Sequence, residues 1–112
     1  MTNEVLGNYL RAHRRRCGLS QRELGILVGY ADGDAVGLHE LSKSAPPLLI
    51  ALAYEIVFDM PVGKLFVGFR SVVERSVARN FQELQTDVTT RRRGQRQPTL
   101  EKQQWLATQS FG

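Results

Sequence analysis

Apolar residues recur at helical spacing along most of this chain, and short polar segments with glycine or proline separate them. This pattern predicts helices joined by turns, and therefore an all-α fold. The first predicted helix begins at a cap on Thr2 or Asn3 and ends near Arg16, before Gly18. Its predicted apolar face comprises Val5, Leu6, Tyr9, Leu10 and His13. Its predicted outer face comprises Arg11, Arg14, Arg15 and Arg16.

The second predicted helix is short and starts at a typical capping residue. The Ser20 hydroxyl can accept a hydrogen bond from an early backbone N–H, and Gly29 ends the helix. Its apolar positions are Leu24, Leu27 and Val28. Gly25 within the helix costs roughly 1 kcal/mol relative to alanine. That cost is tolerable where another backbone approaches closely.

A third helix follows after a turn of a few residues. Asp32 or Asp34 can cap it, and its inward residues are predicted to be Val36 and either His39 or Glu40. Two short helices that cross at a wide angle around a tight turn form a helix-turn-helix.

Two more helices follow a loop over residues 41–47, which contains two prolines. The fourth predicted helix runs from Leu48 to about Phe58, and its spacing of four predicts burial of the residues Leu48, Leu52 and Ile56. Pro61 begins a short fifth helix, because proline is favoured in the first helical turn.

A long apolar stripe follows the fifth helix and predicts an amphipathic helix from about Gly68 to Thr86. Its members are Phe66, Phe69, Val73, Val77, Phe81, Leu84 and Val88. Either the stripe packs on the rest of the chain or it forms the seam of a homodimer. We therefore divide the chain into a helix-turn-helix domain (1–67), a C-terminal amphipathic helix (68–87) and a basic, glutamine-rich arm (88–112). The arm contains a predicted short helix near 99–107. Trp105 in this helix suggests docking to a partner or to a second protomer, and the alternative is a loosely held tail.

The charge of the chain is concentrated near its C-terminus. The net charge is +4 over 112 residues, with ten Lys and Arg against nine Asp and Glu up to residue 86 and five against two after it. A basic segment of this kind suits a polyanionic partner, although a solvated tail has the same composition.

Other chemistry has little support in the sequence. The single cysteine, Cys17, favours a reducing compartment, and we expect a cytoplasmic protein with no membrane association. His13 and Cys17 have the spacing of two metal ligands on one helix, but packing is the simpler interpretation. We expect His39 to be a packed histidine. No nucleophile motif, paired-carboxylate site or phosphate-binding glycine loop occurs, so we predict no enzyme, no cofactor and no metal.

From about Leu6 to Phe66 the sequence resembles the five-helix DNA-binding domain of Cro and the phage repressors, the Xre-like bacterial transcriptional regulators. The residues that carry the resemblance are Leu10, Arg11, Arg14, Gly18, Leu19, Ser20, Gln21, Leu24, Gly29, Val36, Glu40, Pro46, Leu65 and Phe66. No single one of these residues is specific to the family, but the ordered set is typical of it.

The resemblance implies a regulator that binds double-stranded operator DNA as a homodimer, with the third helix in the major groove. The implied contacts to the DNA backbone are Ser20, Gln21, Arg22, Ser42, Lys43 and Ser44. The implied base-reading residues are Asp32, Asp34, Ala35, Gly37 and Leu38. The basic arm would add Arg91, Arg92, Arg93 and Arg96.

The sequence departs from the family at the positions that read bases. Gly37 and Leu38 replace residues that commonly carry hydrogen-bond donors, and Leu49 and Ile50 replace polar residues in the fourth helix. The stretch 48–52, together with Leu38 and Leu41, could form an exposed apolar patch, unless the C-terminal helix covers it. An alternative hypothesis is therefore a degenerate helix-turn-helix protein that acts as a protein–protein interaction module. The candidate dimer or partner interface comprises Leu49, Ile50, Phe69, Val73, Val77, Phe81, Leu84 and Trp105.

Overall fold

The computed structural model describes residues 7–91 and 94–111. Within these residues the chain forms seven helices and no strand, which confirms the all-α prediction. The helices are α1 (Leu10–Arg16), α2 (Gln21–Val28), α3 (Asp34–Glu40), α4 (Leu48–Phe58), α5 (Val62–Leu65), α6 (Val67–Thr89) and α7 (Leu100–Thr108). None of the helices in the described ranges combines the length and the apolar character that crossing a bilayer requires.

The chain divides into two compact units, Met1–Arg70 and Ser71–Gly112. The division falls within α6, whereas the predicted boundary of the helix-turn-helix domain was residue 67. The first unit contains the main core, in which the largest fully buried side chains are Tyr54, Leu10, Leu24, Leu65 and Val36. Helices α1 to α5 all contribute to this core, so each has a fixed inner side.

Helix α1 is shorter than predicted. It begins at Leu10, and the predicted caps and Val5 and Leu6 lie outside the described residues. Two hydrogen bonds direct the preceding residues away from a helix: the Leu10 N–H donates to the Asn8 side chain (3.0 Å) and the Tyr9 N–H donates to the Leu65 carbonyl (2.8 Å). Tyr9 is consequently exposed, which contradicts its predicted place on the inner face.

Helix α2 has the cap that its sequence predicts. Ser20 and Glu23 form a reciprocal capping box, with Oγ of Ser20 accepting from the Glu23 N–H (3.0 Å) and the Glu23 carboxylate accepting from the Ser20 N–H (2.8 Å). These hydrogen bonds lower the pKa of Glu23. Gly29 ends the helix in the left-handed conformation, as predicted. The predicted burial of Leu27 is wrong, because Leu24, Gly25 and Val28 form the inner side of α2 and turn Leu27 to solvent.

Helix α4 faces the core with a different side from the one predicted. Ala51 and Tyr54 are buried, whereas Leu48, Leu52 and Ile56 are exposed. The helix is apolar around most of its circumference, so the spacing of leucines does not determine which side is inward. Tyr54 determines it, because its ring fills the core while its hydroxyl reaches a hydrogen-bond partner on α3.

The second unit is a pair of helices held by aromatic side chains. Phe81 of α6 lies edge-on to Trp105 of α7 (ring centroids 5.9 Å apart) and to Phe111 (5.1 Å), and Leu106 is buried beside them. Thr99 caps α7 by accepting from the Lys102 N–H (3.2 Å). This helix lies where the sequence predicts a short helix near 99–107.

Candidate functional site

The turn between α2 and α3 is held by close backbone packing. A Cβ on Gly25 would lie 2.0 Å from the Asp32 carbonyl oxygen, which confirms the predicted close approach at this glycine. A Cβ on Gly33 would lie 2.6 Å from the Arg22 backbone nitrogen. The Tyr30 N–H also donates to the Gly25 carbonyl (2.8 Å), so α2 and α3 meet at a fixed angle.

The start of α3 is set by one of the two predicted aspartates. The Asp32 carboxylate accepts a hydrogen bond from the Asp34 N–H (3.0 Å), while Gly33 occupies the cap position itself. Asp32 therefore stabilises the turn before α3, and Asp34 lies in the first turn of the helix.

The inner side of α3 packs through Val36 and His39, and the prediction that His39 is a packed histidine is confirmed. A hydrogen bond of 2.8 Å joins Nδ1 of His39 to the Tyr54 hydroxyl, and the Tyr30 ring lies 6.1 Å away. Burial lowers the pKa of His39 and raises the pKa of Tyr54, which Tyr30 and Glu40 raise further. Both side chains are therefore neutral near pH 7.

A buried ion pair joins α1 to the end of α3. Nε of Arg14 lies 2.5 Å from Oε2 of Glu40, and the exposed fractions of the two side chains are 11% and 3%. The Arg14 guanidinium also donates to the Leu19 carbonyl (2.8 Å), and the Gln21 amide donates to Oε1 of Glu40 (3.1 Å). The predicted outward position of Arg14 is therefore wrong, because the side chain finds a buried carboxylate and a carbonyl.

Asn8 is a positioning residue that the sequence did not indicate. Its side-chain amide lies within donating distance of the His39 carbonyl (3.0 Å), the Glu40 carbonyl (3.2 Å) and the Ser42 hydroxyl (2.8 Å). It satisfies carbonyls at the C-terminal end of α3, which have no partner within the helix. An asparagine just before an apolar helix is a common cap, so its long-range contact leaves no distinct pattern in the sequence.

The residues predicted to read bases lie on the outer side of the turn and α3. Asp32, Asp34 and Leu38 are exposed, and Ala35 and Gly37 are partly exposed. A shallow depression brings several of them together with two residues of α1 and α2; its lining includes Arg11, Gln21, Asp34, Gly37, Leu38 and Leu41. A Cβ on Gly37 would lie 3.4 Å from the Gln21 amide nitrogen, so the missing side chain leaves Gln21 accessible.

Of the residues predicted to contact a DNA backbone, Gln21 lines this depression, and the others are adjacent in sequence to residues that line it or lie within three positions of one. Ser20, Gln21 and Arg22 are exposed at the start of α2. Lys43 and Ser44 are exposed in the loop after α3, and Ser42 is partly exposed with a positive φ of 55°. The site thus combines exposed cations and an amide with the two carboxylates and the apolar side chains of α3.

The predicted interface residues fall in both units. In the first unit Leu49 is exposed, whereas Ile50 and Phe69 pack partly against the core. In the second unit Val73, Val77 and Leu84 are exposed, and Phe81 and Trp105 contact each other.

The basic arm is only partly described. Arg91 forms an ion pair with Asp87 (3.2 Å) and donates to the Arg96 carbonyl (2.9 Å), and Arg96 itself is exposed. The predicted arm residues Arg92 and Arg93 lie outside the described residues.

His13 and Cys17, which have the spacing of two metal ligands on one helix, have no third potential ligand beside them in the described ranges. Cys17 is exposed, and the His13 ring lies 5.8 Å from the Phe58 ring. No group of three or more His, Cys, Asp or Glu side chains suited to a metal ion occurs within residues 7–91 and 94–111.

Comparison with known protein families, with characterised proteins and with solved structures found no match to this chain.

Proposed function

We propose that this chain is a DNA-binding transcriptional regulator of the Xre-like type, in which α1 to α5 form a five-helix phage-repressor-like domain and α3 enters the major groove. The observation that carries the proposal is the rigid pair α2 and α3, with polar and basic side chains exposed around its outer side. Packing of glycine against backbone fixes the angle of the pair, and the Arg14–Glu40 ion pair fixes its edge. A recognition helix needs this rigidity to meet base edges in register.

Contacts to phosphates would come from the start of α2 and the loop after α3. A glutamine amide has two N–H donors, and Gln21 uses one of them on Glu40. The second can donate to a phosphate at the helix N-terminus, where the helix dipole also favours negative charge. Arg22 at the start of α2 and Lys43 in the loop after α3 are exposed and would add salt-dependent attraction to that of the basic arm.

Base reading by α3 would rely on acceptors and methyl contacts. The helix, DAVGLHE, has no Arg, Lys, Asn or Gln. Asp34 can accept a hydrogen bond from the amino group of cytosine, and Leu38 or Ala35 can contact the methyl group of thymine. A homodimer would place two copies of α3 on half-sites about 34 Å apart, one turn of B-DNA.

A duplex-binding assay tests the proposal. We expect the chain to shift duplex DNA, including the region upstream of its own gene, at low salt. Affinity should fall steeply as salt rises. The double variant Gln21→Ala/Lys43→Ala should lose about tenfold or more in affinity, because each lost charge-assisted contact is worth roughly 1 kcal/mol or more.

The control replaces a lysine outside the site. Lys64 is exposed on α5, so Lys64→Ala changes the net charge as Lys43→Ala does but leaves the α2–α3 edge intact. Equal losses for Lys43→Ala and Lys64→Ala would indicate non-specific attraction, and no shift of any duplex at low salt would refute the proposal.

A second candidate function is a protein–protein interaction module, and a specific observation favours it. The outer side of α3 presents exposed Leu38 and Leu41 and a gap at Gly37, where a DNA reader commonly carries donors. If this function holds, the change Gln21→Ala/Lys43→Ala has no effect on partner binding, whereas Leu38→Asp abolishes the complex with a different protein.

A further inference from the structure

One side of α4 is apolar and uncovered. Its four exposed positions are Leu48 (72% exposed), Leu49 (78%), Leu52 (41%) and Ile56 (79%). Successive residues of an α-helix advance by about 100° around the axis, so these four side chains share an arc of about 100°. We call this arc the outer face of α4.

The opposite side of the same helix is also apolar and packs in the core. Ala51 and Tyr54 are buried, and Ile50, Val57 and Phe58 pack against the core cluster. A helix that is apolar on all sides is normally buried on all sides. The rest of the first unit covers only one side of α4, so the sequence of α4 suits contact with a second apolar surface.

The outer face has no polar group to recognise a polar partner. All four of its side chains are leucine or isoleucine. The one charged residue of α4, Glu55, lies about 20° around the helix from Leu48, and its carboxylate accepts a hydrogen bond from the Val62 N–H (2.9 Å) within the same unit. An acidic or basic partner segment would have to bury its charges here without a counter-charge, which is unfavourable. A second copy of the same apolar surface would bury no charge.

From this composition and exposure, we infer that the outer face of α4 is the seam between two copies of this chain. The four side chains expose on the order of 500 Å² per copy, and two copies together reach about 1,000 Å², the lower end of specific interfaces. A twofold axis across α4 would set the Leu48 end of one helix against the Ile56 end of the other. The same four residues of each copy then form the interface.

The stripe on α6 is the competing seam, and it is less suited to the role. Its exposed members are Val73, Val77 and Leu84, which are smaller or less exposed than the residues of the α4 outer face. Charged residues Glu74, Arg75, Arg79 and Glu83 alternate with them, and Phe81 of the same stripe already packs on Trp105 and Phe111. Part of this stripe is therefore already packed against residues of its own unit.

Sedimentation velocity over a concentration series tests the inference on the full chain without DNA. We expect the wild type to approach twice the 12.6 kDa mass of one chain as concentration rises. Leu49→Glu/Ile56→Glu should remain at the mass of one chain, because each dimer would bury four unpaired carboxylates. Both side chains are exposed in the single copy, so circular dichroism and the melting temperature of the monomer should not change.

Two matched variants complete the test. Leu27→Glu places a carboxylate on an exposed leucine of α2, and Val73→Glu/Val77→Glu places two on the α6 stripe. Both should keep the dimer. Mixing Leu49→Glu/Ile56→Glu with Leu49→Lys/Ile56→Lys should restore it, since opposite charges then face each other.

A wild type that stays monomeric at every concentration overturns the inference. Loss of the dimer in the α6 variant with retention in the α4 variant also overturns it and places the seam on α6. The inference rests on the proposed function in one respect, because both require a homodimer. The position of the seam on α4 is argued independently of DNA binding. A monomer that still binds DNA would overturn the seam and leave DNA binding intact.

Discussion

The ion pair between Arg14 and Glu40 offers the most direct test of how α1 holds the α2–α3 pair. Arg14→Met removes the guanidinium but keeps a long apolar side chain, so it tests the polar contacts rather than the volume. Among the described residues, the change leaves the Glu40 carboxylate, of which 3% of the side chain is exposed, with the Gln21 amide as its remaining side-chain partner. It also removes the donor to the Leu19 carbonyl, which ties the connection between α1 and α2.

The magnitude follows from the burial of the pair. Removal of one partner of a buried ion pair costs about 3–5 kcal/mol, because the remaining charge stays desolvated. For a unit of this size, 1 kcal/mol corresponds to about 4–8 °C in melting temperature. We therefore expect Arg14→Met to lower the melting temperature by at least about 12 °C. The expected loss of about 3–5 kcal/mol is a large part of the free energy of unfolding of a typical domain, which is about 5–15 kcal/mol.

The assay is thermal and urea unfolding followed by far-ultraviolet circular dichroism. Arg15→Met is the matched control, because Arg15 is the next residue of the same helix and is exposed. It should change stability by no more than about 0.5 kcal/mol. The double variant Arg14→Met/Glu40→Met removes both charges and should be more stable than Arg14→Met alone. Equal effects of Arg14→Met and Arg15→Met would refute this account of the pair.

Three further predictions concern other parts of the chain. Gly25→Ala should destabilise the first unit by about 1–3 kcal/mol in urea unfolding, since its Cβ would overlap a backbone carbonyl of the turn; wild-type stability would contradict the close approach. Burial lowers the pKa of His39, so stability should be constant above pH 6.5 and fall as the pH drops below it. His39→Gln should reduce that fall, whereas an unchanged pH profile would show that burial does not lower the pKa of His39. Phe111→Ala should shift the fluorescence of Trp105 to longer wavelength, because one of its two aromatic neighbours is lost; an unchanged spectrum would argue against the aromatic cluster.

The parts of the fold that local chemistry determines are the parts that the sequence predicts. Ser20 caps α2 and Gly29 ends it because a hydroxyl and a left-handed glycine act on adjacent backbone groups. The glycine within α2 signals a close approach, which the Asp32 carbonyl supplies. Apolar spacing after the predicted cap also predicts Val36 as an inward residue, and Val36 is buried.

The errors arise where a side chain depends on a distant partner or where a helix has no polar side. The sequence pattern predicts that Arg14 lies on the outer face of its helix, but its carboxylate partner lies 26 residues further along the chain. The apolar residues of α4 cover most of its circumference, so periodicity predicts a helix without predicting which side faces the core. The hydrogen bond of Tyr54 to His39 fixes that side, and only the assembled fold brings these two residues together.

The two sides of α3 are under different physical constraints, and this difference bears on the proposed specificity. Its inner side is fixed by buried contacts at Val36, His39 and Glu40, so few substitutions are tolerable there. Its outer side carries Gly37 and Leu38, which lie outside the buried core. A surface of carboxylates and methyl groups can favour cytosine amino groups and thymine methyl groups, but it has no bidentate donor for guanine. Affinity would then come from phosphate contacts, and a second copy that fixes the spacing of half-sites would add more selectivity than α3 alone.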